Sequence, residues 1–229
     1  KTKNFDFIEI IGNRNFKSFN YNIPSDISSS AFFIVLTLLS KKSSLIIENV
    51  NVNPSRIGII KILNKMGANI IFKNKKIYKG EPIADIFVKS SILLKPINCP
   101  EQLNSSAIDE FLLIFLIAAK SKGISYFKNL SELNQKESPR LKLGSKILNM
   151  IGIKTKLTNH SIKIYGQPSL KPKKNYEVKN YLKDHRIFMM TTIMALTFGG
   201  NWKINDPDSI KTSFPSFLKI VKSLGGKIK

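Results

Sequence analysis

Ile62-Leu63-Asn64-Lys65-Met66-Gly67 recurs as Ile147-Leu148-Asn149-Met150-Ile151-Gly152 and, more loosely, as Ile220-Val221-Lys222-Ser223-Leu224-Gly225. Each copy reads as the end of an amphipathic helix stopped by glycine, the residue that most readily takes the left-handed conformation closing a helix. Upstream lie matching tripeptides, Ile47-Glu48-Asn49, Phe127-Lys128-Asn129 and Ile204-Asn205-Asp206, where a strand gives way to a polar turn. Further upstream stands a helix apolar nearly all round: Ala31 to Leu39, Phe111 to Ala119, and Ile187 to Leu196. Such helices belong inside a fold, because none of their faces suits water. The glycines recur at intervals of about 80 residues, longer than the repeat of a solenoid. An apolar helix, a strand, a polar turn, an amphipathic helix and a further strand thus follow one another in each copy, though the third stops early at Lys229. This order predicts an α/β domain of pseudo-threefold symmetry, with three inner helices in one core.

In the first copy, Phe5 to Ile11 and Phe16 to Ile23 are β-prone, with a Gly12-Asn13 turn signal between them, and predict a hairpin. Pro24-Ser25-Asp26 breaks the pattern. Asp26 or Ser28 can then cap a helix running from about Ser29 to Leu39. Ser44 to Val50, Asn69 to Lys73 and Ile83 to Val88 read as strands. Asn53-Pro54-Ser55 is expected to open the second helix, whose apolar face carries Ile59, Ile60, Leu63 and Met66.

The chain of 229 residues is long enough to bury a substantial core. It opens on Lys rather than Met, which suggests a piece of something longer. One cysteine, Cys99, excludes an internal disulfide and fits a reducing cytosol. Its apolar runs reach about half of the ~20 residues that cross a bilayer, so a cytoplasmic protein without a membrane anchor is expected. The net charge of +22 comes from lysines spread along the whole length, beside abundant Asn and Ile, and so reflects composition as much as function. Against that background the four arginines, Arg14, Arg56, Arg140 and Arg186, suggest places that need a rigid bidentate fork.

The charged motifs fall at equivalent points of the copies. Asp26, Ile108-Asp109-Glu110 and Asp184-His185-Arg186 stand at the mouths of the inner helices. Arg56, Lys136-Glu137-Ser138-Pro139-Arg140 and Lys211-Thr212-Ser213-Phe214-Pro215 stand at the starts of the outer ones. Parallel packing would gather these ends into a cationic bowl containing carboxylates, with His185 and Arg186 adding to the positive field of a helix N-terminus. Such a bowl suits substrates bearing phosphate and carboxylate groups. Asp109 and Glu137 are candidate general acid–base groups, and Asp184 a cap or orienting carboxylate. His160 and His185 are too few for a metal site, and there is no phosphate-cradling glycine loop.

At these residues the sequence resembles the 5-enolpyruvylshikimate-3-phosphate synthases (3-phosphoshikimate 1-carboxyvinyltransferases). Ile23-Pro24-Ser25-Asp26-Ile27-Ser28-Ser29 looks like that family's domain-crossover motif. Asn53-Pro54-Ser55-Arg56, Ile108-Asp109-Glu110, Lys136-Glu137-Ser138-Pro139-Arg140, Asp184-His185-Arg186 and Thr212-Ser213-Phe214-Pro215 follow in the family's order. The resemblance implies the enolpyruvyl transferase fold, a pseudo-threefold domain of three βαβαββ-like units with buried parallel helices. Residues 1–23 would be the last hairpin of a missing first domain and the crossover, and 24–229 the second domain. It also implies that Asp109 is the proton acceptor, Glu137 the proton donor and Lys136 a shikimate-3-phosphate contact. Arg140, Arg186 and Lys211, with His185 beside them, would contact phosphoenolpyruvate. No metal or organic cofactor is implied; the partners are the two substrates and the missing first domain, and the complete enzyme would be a monomer.

Two local departures stand out: Pro139 replaces a usual Asp in the first turn of its helix, and Ser25 a usual Gly. The nearest rival within the fold is a UDP-N-acetylglucosamine enolpyruvyl transferase, against which the Lys-Glu-Ser-x-Arg and Asp-His-Arg motifs speak. A basic nucleic-acid-binding module, the rival from another class, would need exposed aromatics interleaved with the lysines.

Overall fold

The computed structural model of the chain describes residues 9–12, 17–91, 94–172 and 174–228. The first unit runs α1 (Ile27–Leu39), β1 (Ser44–Asn51), α2 (Gly58–Lys65), β2 (Asn69–Tyr78) and β3 (Glu81–Lys89). The second runs α3 (Asn104–Ala107), α4 (Phe111–Lys120), β4 (Gly123–Phe127), α5 (Arg140–Met150), β5 (Thr155–Leu157) and β6 (Ile162–Gly166). The third comprises β7 (Asn175–Val178), α6 (His185–Phe198), β8 (Asn201–Ile204) and α7 (Phe217–Ser223). Antiparallel sheets of order β1-β3-β2 and β4-β6-β5 serve the first two units, while β7 and β8 pair in parallel.

The threefold repeat is written into the backbone. Asn49, Asn129 and Asp206, at the equivalent turn of each unit, have φ of 51°, 53° and 56°. Asn and Asp tolerate that left-handed region better than most side chains, which explains why these types recur there. The helix-stopping Gly67, Gly152 and Gly225 have φ of 86°, 92° and 92°. Behind each, the following amide reaches back into the helix: Ala68 to Leu63, Ile153 to Leu148 and Gly226 to Val221, at 3.0, 3.0 and 2.9 Å. These bonds satisfy carbonyls that the helix end would otherwise leave open. Each unit also begins alike, with an extended segment paired in parallel to the strand after its inner helix. Ser25 meets Val50, Asn98 meets Tyr126, and β7 meets β8. That supplies the leading strand of a βαβαββ pattern in all three units.

The inner helices α1, α4 and α6 pack on one another. Phe111 to Ala119 is buried at every position, as an all-round apolar helix requires. Each outer helix leans on the inner helix of the next unit, α2 on α4 and α5 on α6. The ring closes where Phe217 of α7 meets Phe32 and Phe33 of α1, with centroids 5.7 and 5.9 Å apart. Every large apolar side chain buried in this way contributes roughly 1.5–3 kcal/mol.

Three expectations need correction. Glu9–Gly12 and Lys17–Pro24 form no strand, and the rest of the expected first hairpin lies outside the described residues. Ile10, Ile11, Phe19 and Ile23 stay exposed there, and a lone hairpin without an apolar face covered is marginal in water. Asn53-Pro54-Ser55 forms a turn rather than a first helical turn, and α2 starts at Gly58. The helical run around α4 also begins earlier than expected, at Glu101, because short 3-10 turns flank α3. The resulting 20 residues, Glu101–Lys120, are long and apolar enough to cross a bilayer by length and composition. Here they form the centre of the protein core.

Candidate active site

The N-terminal ends of α1, α4 and α6 meet at one mouth, closed differently by each helix. Asp26 caps α1 by accepting from the Ser29 amide at 2.8 Å. Asp184 caps α6 by accepting from the Arg186 and Ile187 amides at 2.9 and 3.4 Å. No side chain caps α4. Instead a 3-10 turn, Ile108–Glu110, leads into it. Successive side chains on such a turn diverge by about 120°. Asp109 therefore faces the open bowl with its side chain 32% exposed, while Glu110 is turned inward to 4%. Glu110 Oε1 accepts from Ser28 Oγ at 2.5 Å.

Arg140, the first residue of α5, is 1% exposed and lies at the centre of the carboxylates. Its Nε donates to Asp184 Oδ2 at 2.8 Å and its Nη2 to Asp184 Oδ1 at 3.3 Å. Nη1 reaches Asp109 Oδ1 at 3.3 Å, and Nη2 also reaches Glu137. One buried guanidinium thus holds both candidate acid–base groups, while Asp184 holds the guanidinium. Ser138 Oγ adds a 2.8 Å bond to Asp184 Oδ2. Burial alone would push the Asp184 carboxyl up, but the bonds and charge of Arg140 outweigh it and keep it below the usual range.

Arg186 lies across the Ile108–Glu110 turn. Its Nη1 donates to the Asp109 carbonyl at 3.0 Å and faces Glu110 Oε1 at 3.7 Å, while Nη2 faces Asp109 Oδ2 at 3.7 Å. Burial drives the Glu110 carboxyl above its ordinary value, against the Ser28 bond and the Arg186 charge. His185 differs from its expected role as an added cation. Burial, followed by the Arg186 charge, lowers its proton affinity and favours the neutral ring. The turn delivering this motif is strained, with Asn180, Leu182 and Lys183 at φ of 59°, 58° and 54°. Tyr181, buried between them, anchors the turn by donating to the Asn205 carbonyl.

The expected residues are therefore largely brought together. Lys136 joins the cluster at 3.9 Å from Asp109, with its closer bond to Glu132 at 2.8 Å. Arg56 reaches Ser28 Oγ at 3.3 Å and Asp26 at 3.7 Å. Lys211 is the exception. Its ammonium is exposed and paired with Asp208 at 2.7 Å, and among the described residues it makes no ion pair with the carboxylates around Arg140. Pro139 is the N-cap residue just ahead of α5 rather than within its first turn. Among the described residues, no group of three His, Cys, Asp or Glu side chains is arranged to hold a metal ion. Glu110 was legible only as a helix-mouth carboxylate; its position directly before a run buried on every side was the available sign that it points inward.

Residues 1–221 match the EPSP synthase (3-phosphoshikimate 1-carboxyvinyltransferase) family. A 3-phosphoshikimate 1-carboxyvinyltransferase of Ruthia magnifica is 39% identical over 219 residues, covering 96% of this chain and 49% of that protein. The enzyme of that name from Staphylococcus aureus strain COL is also 39% identical, over 92% of this chain and 48% of its own length. Among solved structures, an EPSP synthase from Acinetobacter baumannii superposes with a TM-score of 0.85 at 36% identity, covering 90% of this chain and 47% of that one. The enolpyruvyl transferase NikO from Streptomyces tendae, at 13% identity and a TM-score of 0.62, shares the fold. The chain spans about half the length of the curated relatives it matches. The match along residues 1–221, the shared fold and the order of the charged motifs make this chain a member of the EPSP synthase family.

Proposed function

We propose that these residues form one half of a site that moves the enolpyruvyl group of phosphoenolpyruvate to the 5-hydroxyl of shikimate 3-phosphate. The observation that carries the reading is the hold of one buried guanidinium, Arg140, on both Asp109 and Glu137. Two carboxylates fixed around one site can remove and deliver protons in the same event. Asp109 takes the proton of the attacking hydroxyl, its oxygen bonds to C2 of phosphoenolpyruvate, and Glu137 gives a proton to C3. In the second half Glu137 takes a proton back from C3, the C2–C3 double bond re-forms as the bond from C2 to the phosphate oxygen breaks, and the phosphate leaves with the proton held by Asp109. Arg186, His185 and Lys211 serve the phosphoenolpyruvate anion, Lys136 the phosphate of the shikimate. Arg140 adds its field to the anion site and orders the acid–base pair. No metal or organic cofactor takes part.

A segment equivalent to the other half of the relatives completes the site, with residues 1–23 reaching back to that first domain and 24–229 forming the second. The complete enzyme is a cytoplasmic monomer that uses neither nucleic acid nor membrane. The test is phosphate release from phosphoenolpyruvate. It is expected to be absent with residues 1–229 alone, and restored by the complementing half in the presence of shikimate 3-phosphate. Release with UDP-N-acetylglucosamine instead would overturn the assignment. In the restored enzyme, Arg186→Lys keeps the charge but cannot span both the Asp109 carbonyl and an anion. A charge-assisted hydrogen bond is worth roughly 1.5–3 kcal/mol, so phosphoenolpyruvate binding should weaken about ten- to a hundredfold. Unchanged affinity would remove Arg186 from the site.

A further inference from the structure

Glu110 has no part in the reaction just described, yet it sits where the three units meet. Its Oε1 accepts from Ser28 Oγ of α1 at 2.5 Å and faces Arg186 Nη1 of α6 at 3.7 Å, while its own backbone opens α4. We infer that Glu110 is a positioning residue that fixes the Arg186 guanidinium against the Asp109–Glu110 turn, aimed at the anion site. The inference rests on the proposed function for what Arg186 binds.

Arg186 has two carboxylates near it, and they are not equivalent. Asp109 Oδ2 lies 3.7 Å from Nη2 on the open side of the bowl. In the proposed reaction Asp109 gains a proton, so its attraction for Arg186 disappears during the event in which Arg186 must stay in place. Glu110, at 4% side-chain exposure, lies behind the guanidinium and out of reach of substrate. It takes no part in the proposed proton transfers, so its contact with Arg186 persists while the charge of Asp109 changes. An arginine side chain has many rotamers, so an untethered guanidinium would occupy its binding-competent position only part of the time. The apparent dissociation constant of a ligand rises by the inverse of that fraction. A fraction reduced to between a third and a tenth corresponds to an affinity loss of about three- to tenfold.

The test uses the 229-residue chain labelled with nitrogen-15, and reads the motion of the Arg186 and Arg140 side chains from their Nε–H signals. Glu110→Gln keeps the size and the acceptor for Ser28 but removes the charge behind Arg186. Arg186 should become more mobile, while Arg140, held by Asp184, should not change. Glu110→Asp, which keeps the charge one methylene further away, should fall between the two. Should Glu110→Gln fail to fold, Glu110→Asp alone is read, against the same expectation of a loosened Arg186. Phosphoenolpyruvate is then titrated into each folded protein completed by the other half, with the three- to tenfold loss expected for Glu110→Gln. An Arg186 as ordered in the variant as in the parent would overturn the inference, whatever happens to phosphoenolpyruvate. A loosened Arg186 in a protein whose parent, completed by the other half, ignores phosphoenolpyruvate would leave Glu110 as the anchor and count against the proposed substrate instead.

Discussion

Asp184→Asn should destabilise the protein by about 3 kcal/mol, and the reasons are separable. The carboxylate accepts from Ser138 Oγ, from Arg140 Nε and Nη2, and from the Arg186 and Ile187 amides. Asn keeps one acceptor oxygen, and Asn caps helices about as well as Asp, so the cap on α6 should survive. The lost group is Oδ2, replaced by an amide nitrogen that now confronts Arg140 Nε and the Ser138 hydroxyl. Breaking a buried ion pair from one side costs about 3–5 kcal/mol. Arg140 retains Asp109 and Glu137, which places the loss at the lower end of that range. For a domain of this size each kcal/mol lowers Tm by about 2–4 °C, so a fall of about 6–12 °C is expected. Urea unfolding of the two proteins measures it directly. The carboxyl titrates below the usual range in the folded protein, so its contribution is complete above the carboxylate value of the unfolded chain. It is lost as the pH falls through the folded value. The gap between parent and variant should therefore be constant near neutrality and close in acid. A gap below about 1 kcal/mol at pH 7 would show that Asp109 and Glu137 neutralise Arg140 without Asp184.

Pro139→Asp should change stability by no more than about 1 kcal/mol, since a gained N-cap offsets the lost rigidity of proline. Asn134 Oδ1 already takes the Lys142 amide at 3.3 Å, in place of the cap that proline cannot provide. A loss above about 2 kcal/mol in the same urea assay would reveal a structural need for the ring. Gly152→Ala and Gly166→Ala should part company in thermal unfolding. A Cβ on Gly152 meets nothing within 4 Å, so only its φ of 92° is at issue, about 1–2 kcal/mol. A Cβ on Gly166 would lie 2.0 Å from the Ser121 carbonyl oxygen and 2.4 Å from that of Ala118, where about 3 kcal/mol or more is expected. Similar losses at both would mean that the strand end around Gly166 yields more readily than its neighbours suggest.

The fold was legible because its symmetry is enforced by residues with few alternatives. A left-handed turn favours Gly, Asn or Asp, and Gly67, Asn129 and Asp206 advertise such turns without any knowledge of packing. The caps Asp26 and Asp184 were equally plain, since a short acceptor before an apolar run has one common use. Direction and depth were hidden. Nothing in Asp109-Glu110 tells that a 3-10 turn sends one carboxylate into the bowl and the other inside. Arg140 reads as a surface fork until three carboxylates close over it. That Lys211 would be paired with the nearby Asp208, at 2.7 Å, was likewise not written in the motif. The described parts of the expected first hairpin, residues 9–12 and 17–24, form no strand for a different reason. Alternation can propose a strand, but only a covered face keeps it.

Several polar contacts at the mouth join different units. Ser28 belongs to the first, Glu110 and Arg140 to the second, and Asp184 and Arg186 to the third. Each unit has its own local closure, a leading segment laid parallel to the strand after its inner helix. A unit can therefore take shape early, by closing short loops, while the contacts of Asp184, Arg186 and Ser28 with the second unit have no partners until the units have docked. Interactions that form after the transition state leave the folding rate alone and slow unfolding. The lattice around Arg140 and Glu110 would then act on the lifetime of the folded protein, resisting proteolysis and transient opening, rather than on the speed with which it is made.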